Sequence, residues 1–286
     1  MSHAGWNHGS ENTQGAVLAL PGRAARLVVA MTAMEMLGLA GAAMAAGAIN
    51  AVAGGGTILT FPTLLAIGTP PKVANATSTL ALVLGTGGSV FGFRRLIPPI
   101  LPWLKRFVPV SLAGGIVGSL LLTVTSNETF AHLVPFLILF STLLFLAQGV
   151  VARLVSREVG APDHPHRVWP MVVFQFFVAV YGGYFGAGIG ILMLASLGFI
   201  GLRNIHEMNA LKNVLGSLIN VVAAVIFLAR GLVDWPKAGV MTVGAVAGYY
   251  LGSHFSQKIP QRWVRRLVLV IGFAISAATF YRQFAK

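Results

Sequence analysis

The chain has 286 residues, of which 56% are apolar and 9% charged, with a net charge of +13 and a mean hydropathy of +0.80. That balance excludes a soluble domain, which needs far more polar surface, and points to an integral membrane protein. The apolar runs do not alternate with polar residues, so the expected fold is an all-α membrane bundle and not a β-barrel.

In chain order, residues 1–26 read as a polar, disordered tail, and no cleavable signal is expected because the apolar stretch from Leu27 runs too long. Apolar runs between charged or Pro/Gly breaks then predict five elements, at about 27–49, a short one at 56–67, and 75–93, 107–125 and 129–152. A polar linker at 153–167 follows. The series resumes at about 168–186, a short 190–201, and 208–229, 238–256 and 264–282. The expected organisation is therefore a tail (1–26), a first membrane repeat (27–152), a linker (153–167) and a second repeat (168–286).

The second half is a degenerate copy of the first at a shift of about 134 residues. Gly54 and Gly56 recur as Gly188 and Gly190, and Asn75-Ala76 as Asn209-Ala210. Gly114, Gly118 and Ser119 recur as Gly248, Gly252 and Ser253. A duplicated bundle with glycine-rich breaks at equivalent places is the pattern of a secondary transporter. The short elements, about twelve residues each, cannot cross a hydrocarbon core of about 30 Å as straight helices, and read as half-helices.

Basic residues gather between apolar runs, at 94–106, 153–167 and 257–266, which reports topology and lipid headgroups and leaves no basic face for nucleic acid. Placing all three stretches on the cytoplasmic side requires an inverted pair of halves, with Arg23, Arg26, Arg282 and Lys286 outside. If the short elements return to their own side, the halves are parallel and one basic stretch is misplaced. Inversion is the favoured arrangement. The chain has no cysteine, hence no disulfide or thiol chemistry, and no Ser/His/Asp, HExxH or Walker pattern that would make it an enzyme. The Asp163, His164 and His166 group is too exposed and sparse for a metal site, and no cofactor is expected.

Candidate binding residues concentrate at the breaks. Gly54, Gly55, Gly56 and Thr57 precede the first short element, and Gly186, Gly188 and Gly190 the second. Glycines free the backbone there, and a half-helix offers unpaired N–H groups and a positive dipole end suited to a sulfonate, sulfite or carboxylate. The competing reading is close helix packing, which is the stronger one for Gly114/Gly118 and Gly244/Gly248/Gly252. Asn75, Ser78, Thr79 and Thr86, and likewise Asn209, Asn213, Ser217 and Asn220, form polar stripes that line a path or bond neighbouring helices, and Thr77 beside the first is a further binding candidate. Lys212 lies about one turn into an apolar helix, where a transported anion can be its partner, or it snorkels to the interface. Glu35, in the first apolar run, is a proton-coupling candidate; pairing with Arg26 or Lys212, or interfacial placement, is the alternative.

The motifs Asn50-Ala51-x-Ala53-Gly54-Gly55-Gly56-Thr57, Phe61-Pro62, Pro70-Pro71, Ala74-Asn75-Ala76-Thr77, Gly182-Gly183-Tyr184-Phe185-Gly186-Ala187-Gly188-x-Gly190 and Met208-Asn209-Ala210-Leu211-Lys212-Asn213 resemble those of the TauE/SafE sulfite-exporter family, also called the toluene sulfonate uptake permeases. The resemblance covers nearly all of the chain after residue 30. It implies a multi-pass permease of a bacterial inner membrane for sulfite, sulfoacetate or related sulfonates, more often an exporter, driven by the proton gradient. Its partners would be the small anion and membrane lipid, with a homo-oligomer left open. The rivals are a passive anion channel and a non-transporting membrane scaffold.

Overall fold

In the computed structural model, residues 31–52, 55–92, 97–158, 168–197, 205–255 and 261–284 are described. They form ten helices and, among the described residues, no strand. In chain order these are α1 (Ala33–Val52), α2 (Thr57–Ala66), α3 (Pro71–Gly92), α4 (Ile97–Val124), α5 (Asn127–Glu158), α6 (Val168–Tyr184), α7 (Ile189–Leu197), α8 (Ile205–Ala229), α9 (Trp235–Phe255) and α10 (Gln261–Phe284). All lie in one unit that begins at Thr32. Four spans, Ala33–Asn50, Ile97–Val124, Asn127–Val151 and Glu207–Ala229, are long and apolar enough to cross a membrane.

Five elements per half, with the second of each half short, is the expected order. The largest difference is at α4, which starts ten residues ahead of the expected 107. Pro98 and Pro99 fall in its first turn, where the N–H they lack has no helical partner to lose, so they open a helix where a loop was expected. The basic pair Lys105-Arg106 is therefore helical, with the Arg106 guanidinium 5.6 Å from the Trp103 ring centre. The helix α5 likewise runs to Glu158, into the expected linker. Residues 1–30, which hold the expected tail at 1–26 and the first residues of the expected first element, and 159–167 lie outside the described residues.

Helix packing repeats between the halves. The helix α1 packs on α9 as α6 packs on α4, and α3 packs on α9 as α8 packs on α4. The pairs α1–α2 and α6–α7, α2–α3 and α7–α8, and α5–α7 and α10–α2 match in the same way, while α3–α8 and α5–α10 join equivalent helices. The two strongest pairs are zipped by glycine. A Cβ on Gly244, Gly248 or Gly252 of α9 would overlap the backbone of Ala40, Met44 or Ala48 on α1. On α4, a Cβ on Gly114 would lie 2.6 Å from Phe176 O, and one on Gly118 would overlap Val180 O. These glycines let backbones touch, so dispersion holds helices that lipid would otherwise solvate equally well.

The same contacts give helix directions. Successive residues pair in rising order for α1 with α9 (40/244, 44/248, 48/252) and for α4 with α6 (114/176, 118/180), so each pair runs parallel. Thr77 meets Asp234 and Gly85 meets Tyr249, so α3 also runs parallel to α9. Lys72, at the start of α3, bonds the carbonyls of Thr123 and Thr125 at the end of α4, which sets those two helices antiparallel. The helices α5 and α10 are antiparallel, with Thr142 beside Gly272 and Pro135 beside Ser276.

Replacing Gly248 by Ala should lower bundle stability by about 2 kcal/mol or more, because backbone cannot yield to the new methyl. Gly239→Ala on the same helix, with nothing within 4 Å of the new Cβ, should leave the melting temperature nearly unchanged. Thermal melts in detergent of both variants check this; equal melts would remove the close-approach account.

Candidate anion site at the two helix breaks

Each short helix starts where a long one stops. The helix α2 turns back along α1, since Gly56 lies against Ala46, and its ten residues span about 15 Å. The helix α7, with nine residues, follows α6 in the same manner. Both breaks lie against one turn of α5. The Phe145 ring covers Gly55, and Leu144 Cδ1 would lie 3.4 Å from a Cβ on Gly188.

Glycine is required at three break positions by φ: Gly55 at +99°, Gly186 at +80° and Gly188 at +77°. Most of the freed peptide groups find partners inside the protein, as hydrocarbon demands. At the first break, Gly56 N–H donates to Asn50 Oδ1 at 2.6 Å, while Ile58 and Leu59 N–H donate to Gly55 O and Gly56 O. At the second, Phe185 and Gly186 N–H both donate to Tyr181 O, and the Tyr181 hydroxyl donates to Ala187 O at 2.6 Å. Asn75 Nδ2 crosses from α3 to donate to Tyr184 O at 3.1 Å. Among the described residues, Gly188 N–H and Gly190 N–H have no acceptor.

Lys212 lies beside those open groups. Its Cδ and Cε would stand 3.5 and 3.9 Å from a Cβ on Gly190, so its stem runs along the first turn of α7. Its Nζ donates to Asn209 Oδ1 at 3.2 Å, one turn back on α8. No carboxylate among the described residues lies within ion-pair distance of it. An ammonium beside the positive end of a helix is repelled by it, so the arrangement is electrostatically incomplete until an anion enters.

The other expected site residues divide. Thr57 opens α2, and Asn213 is partly buried one turn beyond Asn209. Ser78 and Thr60 hydroxyls pair at 2.6 Å against α2. Thr77 Oγ1 accepts from Asp234 N–H at 3.0 Å, which ties α3 to the start of α9. Asn75 Oδ1 is buried with no partner among the described residues. Gly54 lies outside the described residues. Glu35 is in the first turn of α1, with its Oε2 accepting from Thr32 N–H at 2.9 Å and Thr32 Oγ1 accepting from Glu35 N–H, a capping box in an exposed setting. It stands fifteen residues ahead of Asn50, roughly 22 Å along the helix. Of the described His, Asp and Glu residues, none gather into a metal-binding group.

Sequence reasoning passed over Asn50 as a side chain, although it sits in the first glycine motif, as well as Tyr181 and Lys72. Lys72 is buried and places its ammonium 2.9 and 2.6 Å from the Thr123 and Thr125 carbonyls, where a cation meets the negative end of α4. Its neighbour Pro71 marks a helix start, yet nothing local names α4 as its partner.

A family model described as sulfite exporter TauE/SafE matches residues 39–279. The chain is 28% identical over 82% of its length to a probable membrane transporter protein ORF9 of a Sinorhizobium species, covering 88% of that protein. It is 27% identical to the probable membrane transporter protein YfcA of Escherichia coli K12, over 84% of this chain and 87% of that one. A probable membrane transporter protein of Haemophilus influenzae is 29% identical over 82% of this chain and 90% of its own. No solved structure matches the chain.

The two glycines facing the breaks should respond differently to a methyl group. Gly56→Ala would push a Cβ to 2.5 Å from Ala46 O and should destabilise the protein by about 2 kcal/mol. Gly190→Ala meets only the Lys212 stem at 3.5 Å and should melt like the parent. A drop in melting temperature for Gly190→Ala as large as for Gly56→Ala would contradict the open space assigned to α7.

Proposed function

Because the chain belongs to the sulfite exporter TauE/SafE family, we infer that it is a secondary transporter of small sulfur-containing anions such as sulfite, sulfoacetate or related organosulfonates. The observation that carries this reading is Lys212 against Gly190, an ammonium with no carboxylate partner beside an uncapped half-helix start. A sulfonate or sulfite group matches it, since its oxygens accept from several donors at once and its charge balances the ammonium. The family name supports export as the direction; to this we add the proton gradient as the drive and a bacterial inner membrane as the location.

Inverted repeats are one architecture that serves alternating access, and the helix directions support them. With α1, α3 and α9 running one way and α4 and α6 the other, α1 opposes its counterpart α6, and α4 opposes its counterpart α9. The starts of α4 and α6 then share one side with the end of α9, which gathers the three basic stretches of the sequence as a cytoplasmic face requires. The anion would sit near mid-depth, at the break before α7, with access alternating about it.

Proteoliposome flux of sulfite and sulfoacetate, with and without an imposed pH gradient, tests the reading. Saturable flux that follows the gradient is expected, and Lys212→Met should reduce it about 10- to 100-fold with the fold intact, as loss of one charge-assisted contact predicts. Flux by Lys212→Met equal to the parent's would remove the lysine from the site. Channel-like currents without saturation would replace the carrier by a passive pore.

A further inference from the structure

The duplication sets Ser78 where the second half has Lys212, and Asn50 where it has Tyr184, so the two half-sites differ at both chemical positions. Ser78 pairs with Thr60 at 2.6 Å, both buried, and Thr60 Oγ1 donates on to Gly56 O at 3.3 Å. That pair is neutral and internally satisfied. Asn50 Oδ1 occupies Gly56 N–H, and the Phe145 ring fills the space over Gly55. In the second half the counterpart of Asn50 reaches elsewhere, with the Tyr184 ring 5.6 Å from Phe130. Gly190 N–H is left without an acceptor among the described residues, beside the one ammonium. The buried Lys72 is taken up by the end of α4 and Lys237 by Asp234 at 2.8 Å, so neither adds charge here.

Resting on the anion-carrier reading above, we propose that the chain holds one anion, not two, at the start of α7, and that Lys212 against Ser78 makes the site selective for a singly charged sulfonate-type group. One ammonium and a helix end worth about half a charge neutralise a monoanion. A second charge on the same small ion would enter a poorly solvated site with nothing to match it. Hydrogen sulfite and simple sulfonates therefore rank ahead of sulfate, thiosulfate and sulfoacetate, whose added charge has no second ammonium to balance it, since the repeat has Ser78 at the position equivalent to Lys212. The half-site at α2 is a closed copy that keeps the architecture without the ligand.

Calorimetric titration of the full chain in detergent, at fixed ionic strength, tests this with methanesulfonate as the monoanion and sulfate as the dianion. The expected result is one methanesulfonate per chain, with sulfate at least about tenfold weaker. Lys212→Met, with an unchanged melting temperature, should lose the methanesulfonate signal. Two methanesulfonates per chain, or sulfate binding as well as methanesulfonate, would overturn the single-charge site while leaving an anion carrier in place. Methanesulfonate binding retained in Lys212→Met would also overturn it. Binding of neither ion to folded protein would sink both this inference and the anion reading beneath it.

Discussion

Two helices stop part-way across a bundle of lipid-crossing length, and every peptide group freed by those stops must find a partner inside the protein. Water would supply that partner at a surface, but hydrocarbon does not. The Asn50, Asn75 and Tyr181 side chains answer the requirement, reaching respectively to Gly56 N–H, Tyr184 O and Ala187 O. The contact from Asn75 also binds the halves together, because a residue of α3 completes the backbone of the break after α6. Where these caps are complete the break is closed, and where they are missing a donor is left for a ligand.

The rest of the bundle serves to hold the breaks in place. Glycine rows on α9 and α4 bring α1 and α6 into backbone contact with them, so the two helices that end in breaks are the two most tightly clamped. Each clamp joins the halves, α1 of the first to α9 of the second and α6 of the second to α4 of the first, so a body that moves about the site would hold helices of both. The turn of α5 at 141–145 meets both breaks.

Much of this was legible in the chain. The 134-residue shift exposed the duplication, and length alone marked α2 and α7 as half-helices. The packing role of Gly248 and Gly252 also followed from their four-residue spacing away from any short element. Other features were hidden for physical reasons. The start of α4 was concealed because prolines and paired cations read as loop, although a first turn tolerates both. Glu35 sat in an apolar run by sequence but within a helix cap by structure, since the run begins ahead of the helix. The distinct fates of Thr77 and Ser78, adjacent in one motif, depend on which helix each meets, and a one-dimensional stripe does not carry that information.

The account stands or falls on whether an anion reaches the start of α7. Amide nitrogen and proton shifts of Gly190 and Gly56, followed by NMR of labelled protein in lipid during methanesulfonate titration, report on that directly. A saturable shift of Gly190 with Gly56 unmoved is the predicted result, because one N–H is open and the other is held by Asn50. Saturation elsewhere in the protein with Gly190 unmoved would contradict the site.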